Sequence, residues 1–337
     1  MRTSENEFLN KPFSHIYVED EARNYAITEE ILGRFRASQC IAIKHYKDIF
    51  NRNRQDFFLQ KQSPALILAV KKGELVYPGA RVCQSFGNDN FYYTSNIMNC
   101  IYDCEYCYLQ GMYPGGNIVI FVNQEDIFKK VKELLMEGNV YLCVSYDTDL
   151  LALEGMTGFT KKWIDFTLEN PGLKIEIRTK SAYSEGFSHF PKCDRVIFAW
   201  TLSPEEIIRA YEHHTPGLQA RLSALRSAMD SGYRTRLCFD PMIYVKNYRE
   251  IYAKMYGDVF SAIDAGRVLD ISLGVFRISS GYLKSLRKSR RSLIGEYPYA
   301  NIDGICSYEE KKSREMLDFA RLEISKYIDV SKIYTDH

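Results

Sequence analysis

"NCIYDCEYCYLQ", residues 99 to 110, places Cys100, Cys104 and Cys107 within eight residues, and no fourth cysteine follows in the next thirty. Structural zinc is almost always held by four ligands, and zinc motifs favour CxxC pairs. Three thiolates spaced CxxxCxxC suit three corners of a cubane [4Fe–4S] cluster, because cysteine is the standard ligand of such irons. The fourth iron then stays open to a small molecule bound through its amine and carboxylate. A redox enzyme needs such a site and a structural zinc site avoids it. The stretch lies between "FYYTSNIMN" and the Gly-rich turn "GMYPGG", so the sequence puts it on a loop. The alternative is zinc completed by a distant ligand such as His213 or His214.

The rest of the chain supplies the scaffold. Its 337 residues, 46% hydrophobic, are enough for a substantial core in one large domain or one domain with smaller additions. Strand-like apolar runs occur at 65–70, 116–122, 139–145, 173–179, 195–202, 234–243 and 268–276. Helix-like stretches stand between them, among them "NQEDIFKKVKELLMEG" (123–138), "SPEEIIRAYE" (203–212) and "LQARLSALRSAMDSG" (218–232). Strands separated by helices imply a parallel sheet with crossover helices, here a full or partial α/β barrel with its chemistry at the C-terminal ends of the strands. Residues 1–90 read as a smaller flanking α/β layer, 91–280 as the barrel with the cysteine loop, and 281–337 as a C-terminal extension.

The N-terminus carries no signal-type apolar core, and no run approaches the roughly 18 apolar residues of a membrane span. A cytoplasmic setting follows, in which nine cysteines are reduced thiols and metal ligands rather than a disulfide framework. Cys40, Cys193 and Cys306 sit in no motif and read as ordinary buried thiols. The formal charge of +1 gives no global signal, but "YLKSLRKSRRS" gathers Lys284, Arg287, Lys288, Arg290 and Arg291. Such a run is either a solvated face or a local phosphate-binding patch.

With its Tyr106 before the third cysteine, the cysteine loop resembles the signature of the radical S-adenosylmethionine (SAM) superfamily, and "CEYCYLQ" resembles the spore photoproduct lyase family within it. The similarity continues through "IYVEDEARNYAITEEILGRF" (16–35), "IVIFVNQEDIF" (118–128) and "YEHHTPGLQARLSALRSAMDSGY" (211–233). It implies a partial (β/α)6-type radical SAM barrel in a DNA repair lyase of endospore formers, acting in the spore core or germinating cell. Reductive cleavage of SAM by the cluster would give a 5′-deoxyadenosyl radical, which takes hydrogen from a methylene-bridged thymine dimer and restores two thymines. Cys100, Cys104 and Cys107 would ligate the cluster. Thr148 and Asp149 in "SYDTDLLALE", Lys180 in "RTK" and Ser203 would contact SAM. Duplex DNA carrying the photoproduct, and a reductase or a flavodoxin- or ferredoxin-type electron donor, would be the partners, with no membrane.

The repaired base must receive a hydrogen atom, and the resemblance assigns that to a thiol, with tyrosines around the third cluster ligand, here Tyr106 and Tyr108, relaying the radical. A gapless match puts Tyr146 where the donor would stand. Cys83 in "GARVCQSFGND" becomes the first candidate, Cys143 the second, because odd spacing from Tyr146 would turn it to the other face of its strand, and Cys238 the third. The C-terminal "EYPYANIDGICSYEEKK" departs from the family's lesion-contacting segment, leaving Tyr297 and Tyr299 as candidate base contacts beside the basic run, which then favours phosphate. Two other readings stay open: a family member acting on a different nucleic acid or a peptide, and a non-enzymatic nucleic-acid-binding protein with a structural metal.

Overall fold

The computed structural model of the chain describes residues 11, 13–80 and 83–335. Its strands are, in chain order, β1 His15–Glu19, β2 Gln39–Ile43, β3 Leu66–Ala69, β4 Val76–Pro78, β5 Phe91–Thr94, β6 Ile97–Met98, β7 Asp103–Cys104, β8 Ile118–Phe121 and β9 Val140–Cys143. They continue with β10 Leu173–Thr179, β11 Val196–Thr201, β12 Glu212–His213, β13 Arg234–Met242, β14 Val268–Val275, β15 Arg277–Ser279, β16 Ala300–Ile302, β17 Ile305–Ser307 and β18 Ile333–Thr335.

The main sheet has the order β18-β14-β13-β11-β10-β9-β5-β4. Six of its strands, β5, β9, β10, β11, β13 and β14, run parallel, while β4 is antiparallel at one edge and β18 adds a parallel strand at the other. The six are the parallel core expected of the partial barrel, which β18 extends to seven parallel strands. Crossovers use the expected amphipathic helices, at Gln124–Leu135, Glu205–Tyr211 and Leu218–Asp230. Alternation along β10 shows how the sheet divides its side chains: Ile175 and Ile177 enter the apolar core, while Glu176, Arg178 and Lys180 face a cavity.

A second sheet, ordered β2-β1-β3-β8-β6, forms the flanking layer. The runs at 65–70 and 116–122, expected in series with the barrel strands, pair here with each other. The strand that leads into the cysteine loop is instead β5, whose "FYYT" is short and too aromatic to stand out as a buried apolar run. The flanking layer therefore draws β6 and β8 from beyond residue 90, and β18 returns from the C-terminal extension to the main sheet.

Two local features position the site. Ahead of β5, Phe86 packs with Tyr141, Ile197 and Tyr334 and lies under the guanidinium of Arg236, 3.1 Å from its ring centroid. Cys83, three residues earlier, lines the cavity that Glu176, Arg178 and Lys180 face. Gly111, just after the cysteine loop, lies so close to the helix Ser280–Ser289 that a Cβ would meet the Tyr282 Cα at 2.6 Å. Only glycine lets that helix seat against the loop.

Candidate active site at the C-terminal ends of the strands

Cys100, Cys104 and Cys107 lie on the loop after β5, Cys104 buried and the other two half-buried. The loop is pinned from three sides. Its β7 pairs antiparallel with β12, Lys61 Nζ donates to the Cys100 carbonyl and, at 3.1 Å, to that of Tyr102, and Asp103 holds the guanidinium of Arg290. Burial pushes the Cys100 thiol up to about 11 and that of Cys104 well above its usual range. Becoming thiolates therefore requires positive charge, of which Lys61 and Lys180 supply part and a bound cationic centre would supply the rest.

Among the described residues no three His, Cys, Asp or Glu side chains close on a point where one metal ion could sit. His213, named as a distant zinc ligand, is hydrogen-bonded through Nε2 to Glu105 at 2.7 Å. Three soft sulfurs spread along one loop fit a polynuclear iron–sulfur cluster better than a single zinc.

The expected SAM contacts divide on inspection. Thr148 Oγ1 is buried and has no hydrogen-bond partner among the described residues. Lys180 reaches toward Cys104, its ammonium 5.5 Å from the centroid of the Tyr106 ring. Asp149, by contrast, spends both carboxylate oxygens within the chain, on the Thr179 hydroxyl at 2.7 Å, Ala152 N at 3.1 Å and Lys180 N at 2.6 Å. It ties the ends of β9 and β10 together. Ser203 Oγ donates to Glu212 at 2.7 Å. That glutamate also accepts from the Tyr106 hydroxyl and from Arg221, whose other nitrogens reach the Pro216 carbonyl at 2.8 Å and the Thr201 carbonyl at 3.1 Å. Tyr106 and Ser203 are thus held in a closed buried network behind the loop. Glu212 and Arg221 stand in the quoted "YEHHTPGLQARL", but nothing in their spacing announces the pair.

A cavity of about 460 Å³ opens in front of the loop. Cys83, Cys107, Tyr106, Tyr108, Cys143 and Lys180 all line it, which brings the first donor candidate into the same space as one of the three cysteines of the loop. Cys143 faces this cavity too. Strand β9 ends at Cys143, so alternation does not carry through to Tyr146, and the argument that would turn Cys143 away fails. Burial raises the Cys143 thiol to about 12. Cys238 is fully buried on β13 and is not among the lining residues. Missed from sequence are Arg178, Asp240 and Arg277, a paired set on the cavity wall with Arg277 Nη1 2.9 Å from Asp240.

The basic run divides as well. Arg290 is buried against Asp103 and stacks over Phe58 at 5.1 Å, and Arg287 donates to the carbonyls of Gly295 at 2.6 Å and Tyr297 at 3.1 Å. Lys284, Lys288 and Arg291 remain exposed. Tyr297 and Tyr299 pack on Tyr308, at 5.0 and 5.4 Å, rather than lining the cavity. Of the motif-free cysteines, Cys193 and Cys306 are buried as expected, whereas Cys40 is exposed on β2, the edge strand of the flanking sheet.

The model of the spore photoproduct lyase family matches residues 12–332. The chain belongs to the spore photoproduct lyase family. It is 24% identical to the spore photoproduct lyase of Clostridium acetobutylicum over 73% of this chain and 74% of that one. To that of Bacillus subtilis it is 20% identical, over 93% and 89%. Among solved structures, a spore photoproduct lyase double mutant with bound AdoMet and dinucleoside spore photoproduct superposes with a TM-score of 0.80 at 18% identity, covering 97% of this chain and 99% of that one. That likeness shows the shared fold. Within this spore photoproduct lyase family member, no helix of the described residues is long and apolar enough to cross a membrane.

Proposed function

We propose that the chain is a radical SAM lyase that restores two thymines from the methylene-bridged spore photoproduct in duplex DNA, with Cys83 as the hydrogen donor. The observation that carries this reading is the single cavity lined by both Cys83 and the cluster ligand Cys107. Its 460 Å³ falls within the roughly 300–1,000 Å³ of small-ligand sites. Cys100, Cys104 and Cys107 would hold the [4Fe–4S] cluster, with Thr148 and Lys180 turned toward SAM. Together the cluster and SAM would supply the one-electron chemistry that removes hydrogen from the lesion. The chain's own part is to seat the extruded lesion, exclude water and deliver one hydrogen atom from sulfur to carbon. The C-terminal Asp303–Gly304 turn of the β16–β17 hairpin, with φ of 49° and 83°, makes a tight reversal that sets Ile305 on the cavity wall. A one-electron donor of the flavodoxin or ferredoxin class would reduce the cluster, and the spore core or germinating cell is where the lesion would be met.

The test is an anaerobic assay of the reconstituted protein with dithionite, SAM and a duplex containing the photoproduct. Repaired thymine accompanied by deoxyadenosine is expected; SAM cleavage without thymine recovery would send the search to another substrate. Cys83→Ala should keep the cluster and deoxyadenosine formation while yielding trapped by-products in place of clean thymine. Cys143→Ala should cost about 1 kcal/mol of stability and leave the product clean. By-products from Cys143→Ala alone would move the donor to that residue.

A further inference from the structure

Tyr146 is a cavity tyrosine that belongs neither to the cluster motif nor to the donor position proposed above. It lines the cavity with Cys83 and Tyr108, and its hydroxyl meets the Cys83 thiol. Its ring is stacked on Tyr93, centroids 4.0 Å apart and planes 26° off parallel. The Tyr108 ring lies 5.9 Å away, and the Tyr108 hydroxyl donates to the Tyr146 carbonyl at 2.6 Å. Asp147, the next residue, places its buried carboxylate beside the hydroxyls of Tyr108 and Tyr113. A thiol and two phenols thus stand in series along one wall, with a buried carboxylate beside the second phenol.

A donor thiol used once leaves its sulfur one hydrogen atom short. We propose that Tyr146 restores it, linking Cys83 to Tyr108 so that the donor is regenerated in place. The proposal rests on the reading of Cys83 as donor. In the first step the Cys83 S–H bond breaks and a C–H bond forms on the thymine radical, leaving a sulfur radical. In the second the Tyr146 O–H bond breaks and the S–H bond re-forms, leaving a phenoxyl on Tyr146. In the third an electron crosses from Tyr108 to Tyr146. The Tyr146 oxygen takes up a proton from water, and Tyr108, left as a phenoxyl, gives its own proton to Asp147. One electron from the low-potential reductant, with return of that proton, closes the cycle. The sum is one electron and one proton added to the thymine radical.

Tyr146→Phe in the full-length, reconstituted enzyme keeps the stacked ring and removes only the hydroxyl. Iron content and one repair event per enzyme should be retained. Multiple-turnover yield should fall by roughly the hundredfold that a positioned proton-transfer group supplies. Mass spectrometry after one turnover should find Cys83 oxidised or adducted in the variant and free in the wild type. Fluorotyrosine at position 146, which keeps a hydroxyl of altered acidity, should restore turnover with a shifted pH profile, a readout that packing alone would not move. Wild-type multiple turnover in Tyr146→Phe with Cys83 reduced would overturn the relay, and so would failure of the first repair event, which would make Tyr146 a substrate-binding residue. If Cys83→Ala itself repairs cleanly, the donor reading falls together with the relay. If Cys83→Ala gives by-products while Tyr146→Phe behaves as wild type, the relay alone falls.

Discussion

Two charged regions flank the cysteine loop, and they are built to opposite rules. Behind the loop Glu212 accepts from Tyr106, Ser203 and Arg221, and Arg221 in turn is used up on the Thr201 and Pro216 carbonyls and the Thr215 hydroxyl. In front of it the cavity wall carries Arg178, which pairs with Glu176 and Asp240 yet keeps a third of its side chain exposed, and after β9 the buried Thr148 hydroxyl has no partner among the described residues. A closed network of buried charges serves the fold, because each lost partner strands another. An open one costs stability and persists where a ligand completes it.

The comparison breaks most completely at the loop between the two regions. Cys100→Ala, Cys104→Ala or Cys107→Ala should abolish cluster assembly and SAM cleavage, since each iron corner needs its thiolate. Iron content and the cluster's visible absorption check this, and a variant that kept both would remove that residue from the ligand set.

Next in size is the closed network. Glu212→Gln should lower stability by about 3–5 kcal/mol, because Arg221 would be left buried and unpaired. The charge of Arg221 and Lys180 holds the Glu212 carboxyl down at about 2, against an ordinary 4.5. A depressed folded pKa stabilises above the unfolded value, so this contribution is full above 4.5 and disappears as pH falls toward 2. Urea unfolding of the wild type should therefore lose stability across that window with a slope that Glu212→Gln flattens. An unchanged slope would mean that the pair is not the one titrating.

How far such features can be read from the chain follows from the range of the interaction. The three cysteines, the strands 139–145 to 268–276 and the helices between them are legible because period and spacing are local. The affinity of β3 for β8 is not, since two buried parallel strands read alike whichever sheet they join. Nor is the fate of Arg290: within "RKSRR" it is one cation among five, and only the fold brings Asp103 to it across 187 residues. The Glu212–Arg221 pair, nine residues apart, hides for the opposite reason, because a turn and not a regular element sets its geometry. Cys83 stands in no motif of its own, and only the fold, with Phe86 packed on Tyr141 and Ile197 three residues later, shows that it lines the cavity.

A smaller effect sharpens the other side of the comparison. Thr148→Val removes a buried hydroxyl that is unsatisfied within the chain, so the folded protein should be as stable as the wild type or slightly more so. SAM binding should weaken by about 1 kcal/mol, the usual worth of one hydrogen bond. Thermal unfolding without SAM and equilibrium binding with it separate the two. Loss of stability in the variant would place Thr148 with Glu212 as a structural group.

The smallest expected effect lies on the surface, where Lys284, Lys288 and Arg291 are exposed and Arg287 and Arg290 are engaged within the chain. Each exposed cation that contacts a phosphate releases about one counterion, so the slope of log affinity against log salt should fall by roughly 0.9 for each such charge removed. Replacing Lys284, Lys288 and Arg291 with Gln should thus flatten the duplex-binding slope by up to nearly three, leaving folding untouched. Arg290→Gln should do the reverse, weakening the fold around Asp103 while leaving the slope within error, because a guanidinium already paired with a carboxylate has no phosphate to neutralise. A slope that drops with Arg290→Gln and holds with the triple variant would turn the division of this run around, making the buried arginine the DNA contact and the three exposed cations a solvated face.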